Sequence, residues 1–343
     1  MESARFDFDL PPALIPAAPP DNVPRDHARL VVLDRRDGRV EHRRFDDLGD
    51  YLRVGDALVV NNALVSQGEL KGVSRGGPVR VTLCGPCEDG WCVLARPATR
   101  VRRGVAVRAA DGAVRVTFRR PLRDAGMWLA RVEHDGDLMA LLDRHGDRHS
   151  PTLRALGDRR HVYQNVYATR PGALEVPSAG LHFTPELLDR LRTAGGVSVA
   201  PVTLNVGLTE VETYSHIAAD RVEDHRVAAE WYEVPAATAR AVAAARRRGG
   251  RVVAVGTTVV RTLETAGASG RVKPGAGWSD LYLRPGYDFR AVDVMLTNLH
   301  RPRSSHLVLV ASFAGVDFVM RAYQEIVREG YRFDMFGDSM LII

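Results

Sequence analysis

Arg251-Val252-Val253-Ala254-Val255-Gly256-Thr257-Thr258-Val259-Val260-Arg261-Thr262-Leu263-Glu264 is the stretch whose reading decides the fold. Its opening is a short, valine-rich run bounded by glycines, the pattern of a strand buried on both faces. Gly256-Thr257-Thr258 then turns the chain into a helix read from about Val259 to Ala266. Upstream, Pro235–Arg248 reads as an Ala/Arg helix stopped by Gly249-Gly250, Val197–Leu204 as a strand and Pro185–Ala194 as a helix. After residue 160 the chain therefore alternates strand and helix, which predicts an α/β domain with a largely parallel or mixed sheet.

Working outward, the texture changes between Gly68 and Arg148. Short alternating segments (Val79–Leu83, Trp91–Ala95, Val105–Arg108, Val114–Phe118, Trp128–Val132) are separated by Gly85-Pro86, Asp111-Gly112 and Asp135-Gly136. That spacing predicts an antiparallel β-barrel inserted into the α/β domain. Ahead of it, Ala28–Leu33 and Arg39–Arg43 flank Asp37-Gly38, a hairpin signal, and Ala57–Val60 is a further buried strand. The expected organisation is a discontinuous α/β domain over 1–67 and 149–343, with the barrel over 68–148.

The bulk properties fit a globular chain. The 343 residues are 45% hydrophobic and 26% charged. No apolar run approaches the roughly 18–20 residues that cross a bilayer. The N-terminus lacks the charged-then-apolar layout of a signal peptide, so a cytoplasmic protein with no membrane partner, monomeric or homodimeric, is expected. Lys and Arg number 47 against 42 Asp and Glu, and only Lys71 and Lys273 are lysines. This arginine bias, including Arg246-Arg247-Arg248, is read as solvated surface rather than as an RNA contact. Cys84, Cys87 and Cys92 lie close together but lack an evident fourth ligand; reduced thiols in a hairpin, with no metal, are expected.

Three segments combine polar groups with turn-forming residues. The first is Gly256-Thr257-Thr258, where a helix start presents N–H groups to an anion; a threonine there is also an ordinary helix cap. No G-x-x-x-x-G-K-[ST] or G-x-G-x-x-G fingerprint accompanies it. The others are Pro177-Ser178-Ala179-Gly180-Leu181-His182-Phe183-Thr184 and Thr297-Asn298-Leu299-His300-Arg301-Pro302-Arg303-Ser304-Ser305. Each places one histidine, structural or catalytic, beside small residues.

Those segments, with Phe6-Asp7-Phe8-Asp9-Leu10-Pro11, Pro285-Gly286-Tyr287 and the ending Tyr331-Arg332-Phe333…Gly337-Asp338-Ser339-Met340-Leu341-Ile342, are similar, in the same order, to motifs of the S-adenosylmethionine:tRNA ribosyltransferase-isomerases. The resemblance spans nearly the whole chain. It implies a donor, S-adenosylmethionine, whose C5′ proton is removed beside the sulfonium while adenine and methionine depart, without a metal. It places His182 and His300 in catalysis. It assigns ligand binding to Ser178, Ala179, Gly180, Gly256, Thr257, Thr258, Arg261, Glu264, Tyr287, Thr297, Asn298 and Asp338.

The chain departs from the family at particular places. The family's Asn-Asp-Thr-Arg is Asn61-Asn62-Ala63-Leu64 here, and a further arginine is Glu69. Leu-His-Val-Gly-Leu-Gly-Thr-Phe becomes Leu204-Asn205-Val206-Gly207-Leu208-Thr209-Glu210-Val211, and His-x-Met-His-x-Glu becomes His225-Arg226-Val227-Ala228-Ala229-Glu230. His-Leu-Pro-Lys-Ser-Thr becomes His300-Arg301-Pro302-Arg303-Ser304-Ser305. Asn205 cannot shuttle a proton near neutral pH and Ala228 cannot titrate at all. These losses predict a retained donor with a changed acceptor or outcome, a small molecule of specialised metabolism rather than tRNA. The alternatives are an authentic tRNA-modifying enzyme acting on a 7-aminomethyl-7-deazaguanine base, and a non-catalytic binding protein on the same scaffold.

Overall fold

The stretch from Arg251 folds as a strand, Val252–Val255, followed by a helix, Thr257–Ala266, that starts two residues earlier than read. In this computed structural model every residue is described except 22, 67, 123–125, 148–150 and 208–214, and the side chains of 151, 158 and 160. The reading of Leu208–Val211 lies outside the described residues.

The strands, in chain order, are β1 (Arg29–Asp34), β2 (Arg39–Arg44), β3 (Ala57–Asn61), β4 (Ala63–Val65), β5 (Glu69–Ser74), β6 (Gly77–Cys87), β7 (Gly90–Arg96), β8 (Ala106–Ala109), β9 (Val114–Pro121), β10 (Met127–His134), β11 (Arg170–Ala173), β12 (Ser198–Leu204), β13 (Glu230–Val234), β14 (Val252–Val255), β15 (Gly275–Ser279), β16 (Val294–Asn298) and β17 (Ser339–Ile342). Nine of them form one sheet in the order β15-β13-β12-β3-β14-β16-β17-β1-β2. The neighbours β12–β3, β3–β14, β14–β16 and β17–β1 are parallel, and the remaining pairs are antiparallel. The sheet is mixed, with three of its four parallel pairs together at the centre.

Both faces of that centre are covered, which is why its strands are apolar throughout instead of alternating. Val59, Val252 and Ala254 pack on one face with Val242, Val259, Leu263, Leu307 and Ile326, from the helices Ala236–Arg247, Thr257–Ala266, Ser305–Ala314 and Val316–Arg328. Leu58, Val60, Val253 and Val255 face the other way, onto Leu187, Leu188 and Leu191 of the helix Pro185–Thr193.

The insertion is a closed six-stranded antiparallel barrel, β10-β7-β6-β5-β8-β9. Val79, Val81, Val107, Val116 and Phe118 fill it. Its first strand, β5, escaped the sequence reading because Leu70 is its one large inward residue. Gly72 is small there for a reason: a Cβ would meet Val107 Cγ1 at 2.5 Å and the Arg108 carbonyl at 2.7 Å. At the junction with the sheet, Asn205 Nδ2 donates to the Pro86 carbonyl (2.9 Å) and Trp278 Nε1 to Glu88 Oε1 (3.1 Å). Cys84, Cys87 and Cys92 are buried free thiols of the β6–β7 hairpin and this junction. No single helix among the described residues is long and apolar enough to cross a membrane.

Candidate functional site

The carboxyl ends of the central strands converge on one opening, where open α/β sheets hold ligands. β14 ends in Gly256, β16 in Thr297-Asn298 and β3 in Asn61. Gly256 has φ +89°, a left-handed geometry that a side chain resists, and it is the cap residue from which Thr257 starts the helix. The helix start is therefore glycine-capped, with no threonine in the cap position. Thr258 Oγ1 instead accepts from Asn61 Nδ2 (3.4 Å), which ties the turn to the end of β3.

Around this turn lies a cleft of about 60 Å³ lined by Ser178, Ala179, Gly256, Thr257, Thr258, Thr297, Asn298 and His300, together with Val176, Pro177, Val206, His306, Asp334 and Met335. Most of the residues singled out from sequence are thus brought together. His300 Nε2 is 2.9 Å from Thr297 Oγ1, its backbone N–H donates to Tyr323 Oη (3.1 Å), and its ring stacks on His306 with centroids 5.3 Å apart. Burial first, and the neighbouring His306 second, hold His300 well below the ordinary imidazole range.

His182 stands on a second, adjoining cleft of about 290 Å³ with Pro19, Pro20, Pro24, Leu181 and Phe336 as apolar walls and Arg25, Arg159 and Arg332 as cations. Met335 lines both clefts. His182 Nε2 and Asn298 Oδ1, at 3.2 Å, link the two across their shared wall. The orientation of that amide is fixed, because Asn298 Nδ2 donates to the carbonyls of Asp334 (2.9 Å) and Met335 (3.1 Å). Its Oδ1 is therefore the acceptor, and the neutral His182 ring carries its proton on Nε2. Burial brings the His182 pKa down to about 4, partly opposed by the Asn298 bond and by Asp338. Both histidines are thus neutral at pH 7, the state a base requires.

The remaining sequence candidates are committed elsewhere. Gly180 lies in sequence between Ser178-Ala179 of the turn cleft and Leu181-His182 of the larger one, and a Cβ there would sit 2.0 Å from Tyr167 Oη and 2.5 Å from Asn165 Nδ2. Arg261 is buried in an ion pair with Glu230 (2.6 Å) and donates to the carbonyls of Ala228 and Ser279 (3.1 Å each). Glu264 accepts from Tyr287 Oη (3.2 Å) and from the backbone of Arg290, Ala291 and Val292, so Glu264 and Tyr287 brace a loop. Asp338 accepts from the Arg29 N–H (3.1 Å) and from Arg332 (2.7 Å), orienting a cation of the larger cleft.

Sequence reading missed His306, Asp334, Met335 and the arginines of the larger cleft. Asp334 is marked only in the structure, as a non-glycine residue at φ +71° held by Arg301 Nε (2.6 Å). Arg25 and Arg159 are brought in by long-range packing and look like ordinary surface residues in the sequence. Among the described residues no group of three or more His, Cys, Asp or Glu is arranged to hold a metal ion.

The family model described as queuosine biosynthesis protein matches residues 3–342. The chain belongs to that family. It is 42% identical, over the full length of both chains, to the S-adenosylmethionine:tRNA ribosyltransferase-isomerase of Heliobacterium modesticaldum and likewise to that of Symbiobacterium thermophilum. Identity to the Staphylococcus saprophyticus enzyme of the same name is 38%, again over both full lengths. A crystal structure of an S-adenosylmethionine tRNA ribosyltransferase from Thermotoga maritima is similar at 36% identity and TM-score 0.58, with 99% of this chain and 100% of that one covered.

None of these likenesses supports the expected shift to a small-molecule acceptor. The departures stand outside both clefts: Asn62, Ala63, Leu64, Glu69, Asn205 and Ala228 line neither. Asn62 accepts from Thr203 Oγ1 (2.7 Å), Glu69 pairs with Arg80 (2.7 Å), and Asn205 reaches the barrel. Glu69 and Asn205 belong to the barrel and its junction, whereas Asn62 directly follows the central strand β3 and the Ala228 carbonyl accepts from Arg261 of the helix that the turn starts.

Proposed function

We propose that the protein is a cytoplasmic S-adenosylmethionine:tRNA ribosyltransferase-isomerase, and that the donor lies across the two adjoining clefts. The observation that carries this is the His182–Asn298 pair between them. S-adenosylmethionine is two-lobed, with an amino-acid end and an adenosine end joined at the sulfonium and C5′. The turn cleft, at a helix N-terminus, suits the methionine carboxylate; the larger, apolar-walled cleft suits the adenosine. C5′ then falls at the waist, beside His182.

In this reading His182, neutral through burial and protonated on Nε2, accepts on Nδ1 the C5′ proton that the adjacent sulfonium makes acidic. The C5′ electron pair rearranges the ribose as the bond to adenine breaks and adenine leaves with the bonding pair. The amine of a 7-aminomethyl-7-deazaguanine base in tRNA takes up the carbon skeleton as methionine departs, leaving an epoxycyclopentane on the base. Asn298 orients His182, and His300, anchored by Thr297 and Tyr323, assists the leaving groups from the turn cleft. The α/β portion carries the donor, and the chemistry requires no metal.

The test is adenine release from S-adenosylmethionine with tRNA bearing the aminomethyl-deazaguanine base, followed by mass analysis of the tRNA. Adenine together with the matching mass gain is the expected result. Adenine release without any change in the tRNA would overturn the acceptor; no S-adenosylmethionine binding would overturn the whole reading. Replacing His182 by Ala is expected to lower kcat at least a hundredfold with donor affinity kept within severalfold.

A further inference from the structure

The net charge of the chain is +5, yet it is unevenly distributed. Between Glu69 and His134, the barrel strands and their connections, stand 13 Lys and Arg against 6 Asp and Glu; the rest of the chain has 34 against 36. The barrel alone is thus more positive than the whole protein.

Strand register gathers much of that charge into a belt. On the outward face of five successive strands, Arg96 of β7 lies opposite Arg80 of β6, and Arg80 opposite Lys71 of β5. One step along β5, Val73 lies opposite Arg108 of β8, and Arg108 lies directly opposite Arg115 of β9. All five cations are exposed, as is Val73 between them. Like charges directly across a strand pair destabilise it, so a fold gains nothing from this arrangement. Lys71 and Arg80 are partly neutralised by Glu69 and Asp147. Arg96, Arg108 and Arg115 make no ion pair among the described residues; the one acid directly opposite any of these three, Glu133 of β10 across from Arg115, is bound to Arg131 (3.1 Å).

We infer that this belt is a docking surface for an RNA sugar–phosphate backbone, which supplies the missing counter-charge. The inference rests on tRNA being the acceptor, and it gives the barrel a role of its own, which is to hold the polynucleotide while one base enters the clefts. Arginines repeated across neighbouring strands track a run of phosphates without reading sequence. A rigid closed barrel keeps them in register.

The experiment measures binding of unmodified tRNA, which needs no turnover, to the full chain over a range of salt concentrations. Arg108→Glu/Arg115→Glu is compared with wild type and with Arg247→Glu/Arg248→Glu, an equal charge change at an exposed helix end. The belt variant should bind tRNA at least tenfold more weakly, with the slope of log K against log salt reduced by about two contacts' worth. S-adenosylmethionine affinity should be unchanged, and the helix variant should behave as wild type. A second pair, Arg108→Gln/Arg115→Gln, gives the same direction with less perturbation should the glutamates disturb the barrel. Belt variants that bind tRNA as tightly as wild type, or a helix variant that loses as much, would overturn the docking surface. If wild type binds tRNA through the belt but never modifies it, the docking stands and the proposed reaction falls.

Discussion

Arg261 tests whether a motif residue serves the ligand or the fold. Its guanidinium is buried against Glu230, with side-chain exposures of 7% and 3%, and also satisfies the carbonyls of Ala228 and Ser279. Glu230 in turn accepts from the Gly207 N–H (3.2 Å). Replacing Arg261 by Met keeps the length and apolar stem but strands a buried carboxylate, a loss of about 3–5 kcal/mol. Glu230→Gln alone strands the cation and costs a similar amount. The double variant removes both charges, so it should regain roughly 1–3 kcal/mol relative to the sum of the single losses. At roughly 2 °C per kcal/mol for a chain of this size, each single variant should melt about 6–10 °C lower. Thermal unfolding, with S-adenosylmethionine titrations well below the midpoint, reads both quantities. The folded Arg261→Met protein should bind the donor within a few fold of wild type. Wild-type stability combined with a large loss of donor affinity would refute this reasoning and return Arg261 to the ligand.

Other consequences follow from single positions. Gly180→Ala drives a methyl group into Tyr167 and Asn165 and should cost about 1–3 kcal/mol and weaken donor binding, read by melting and calorimetry; a neutral result would show that the packing around Gly180 yields. His182 should make stability fall in acid: the unfolded imidazole takes up a proton below its ordinary 6.5, whereas the folded ring refuses it until about 4. The contribution is therefore complete above pH 6.5 and declines to a deficit of at most about 3 kcal/mol near pH 4, and His182→Asn should flatten that part of the pH–stability curve. Glu264→Gln, which replaces one acceptor oxygen by a donor facing backbone N–H groups, should destabilise by about 1–3 kcal/mol with donor affinity retained in the folded state, measured by urea unfolding and titration. Cys84, buried and with its thiol pushed up to about 12, should react with thiol reagents only on unfolding, at the rate of global opening.

The fold was legible where burial imposes a single pattern. Val252–Val255 reads as a strand because both its faces are covered, and β6 to β10 read as barrel strands because one face fills with Val and Phe while the other meets water. β5 did not read so, because its inward positions beside β8 must be small. The turn cleft was legible because a positive-φ glycine feeding a helix leaves a mark in sequence. The larger cleft left none: Pro19, Arg25, Arg159 and Arg332 come from separate segments, and only the folded chain sets them around His182. Arg261, Glu264 and Asp338 show what a motif alone leaves open. A charged residue inside a recognised motif invites a ligand role, yet each meets a protein partner that the sequence cannot display.

The departures from the family pattern carry the same lesson into function. An Asp replaced by Asn62 loses its charge, but Asn62 still accepts from Thr203 and donates to Thr169 (3.1 Å), so the hydrogen bonds available to this chain are made. Glu69 in place of an arginine reverses a charge, yet it does so beside Arg80 and next to Lys71, where an acid relieves crowding among cations. Asn205 in place of histidine spans from the sheet to the Pro86 carbonyl, a contact that fixes how the barrel meets the α/β domain. Glu69 and Asn205 thus alter the barrel and its junction, and Asn62 the end of β3, while the turn, His182, Asn298 and His300 stay together. Under the proposed function, the changes at Glu69 and Asn205 bear on how tRNA is held, and the proton chemistry proposed at C5′ stays with His182 and His300.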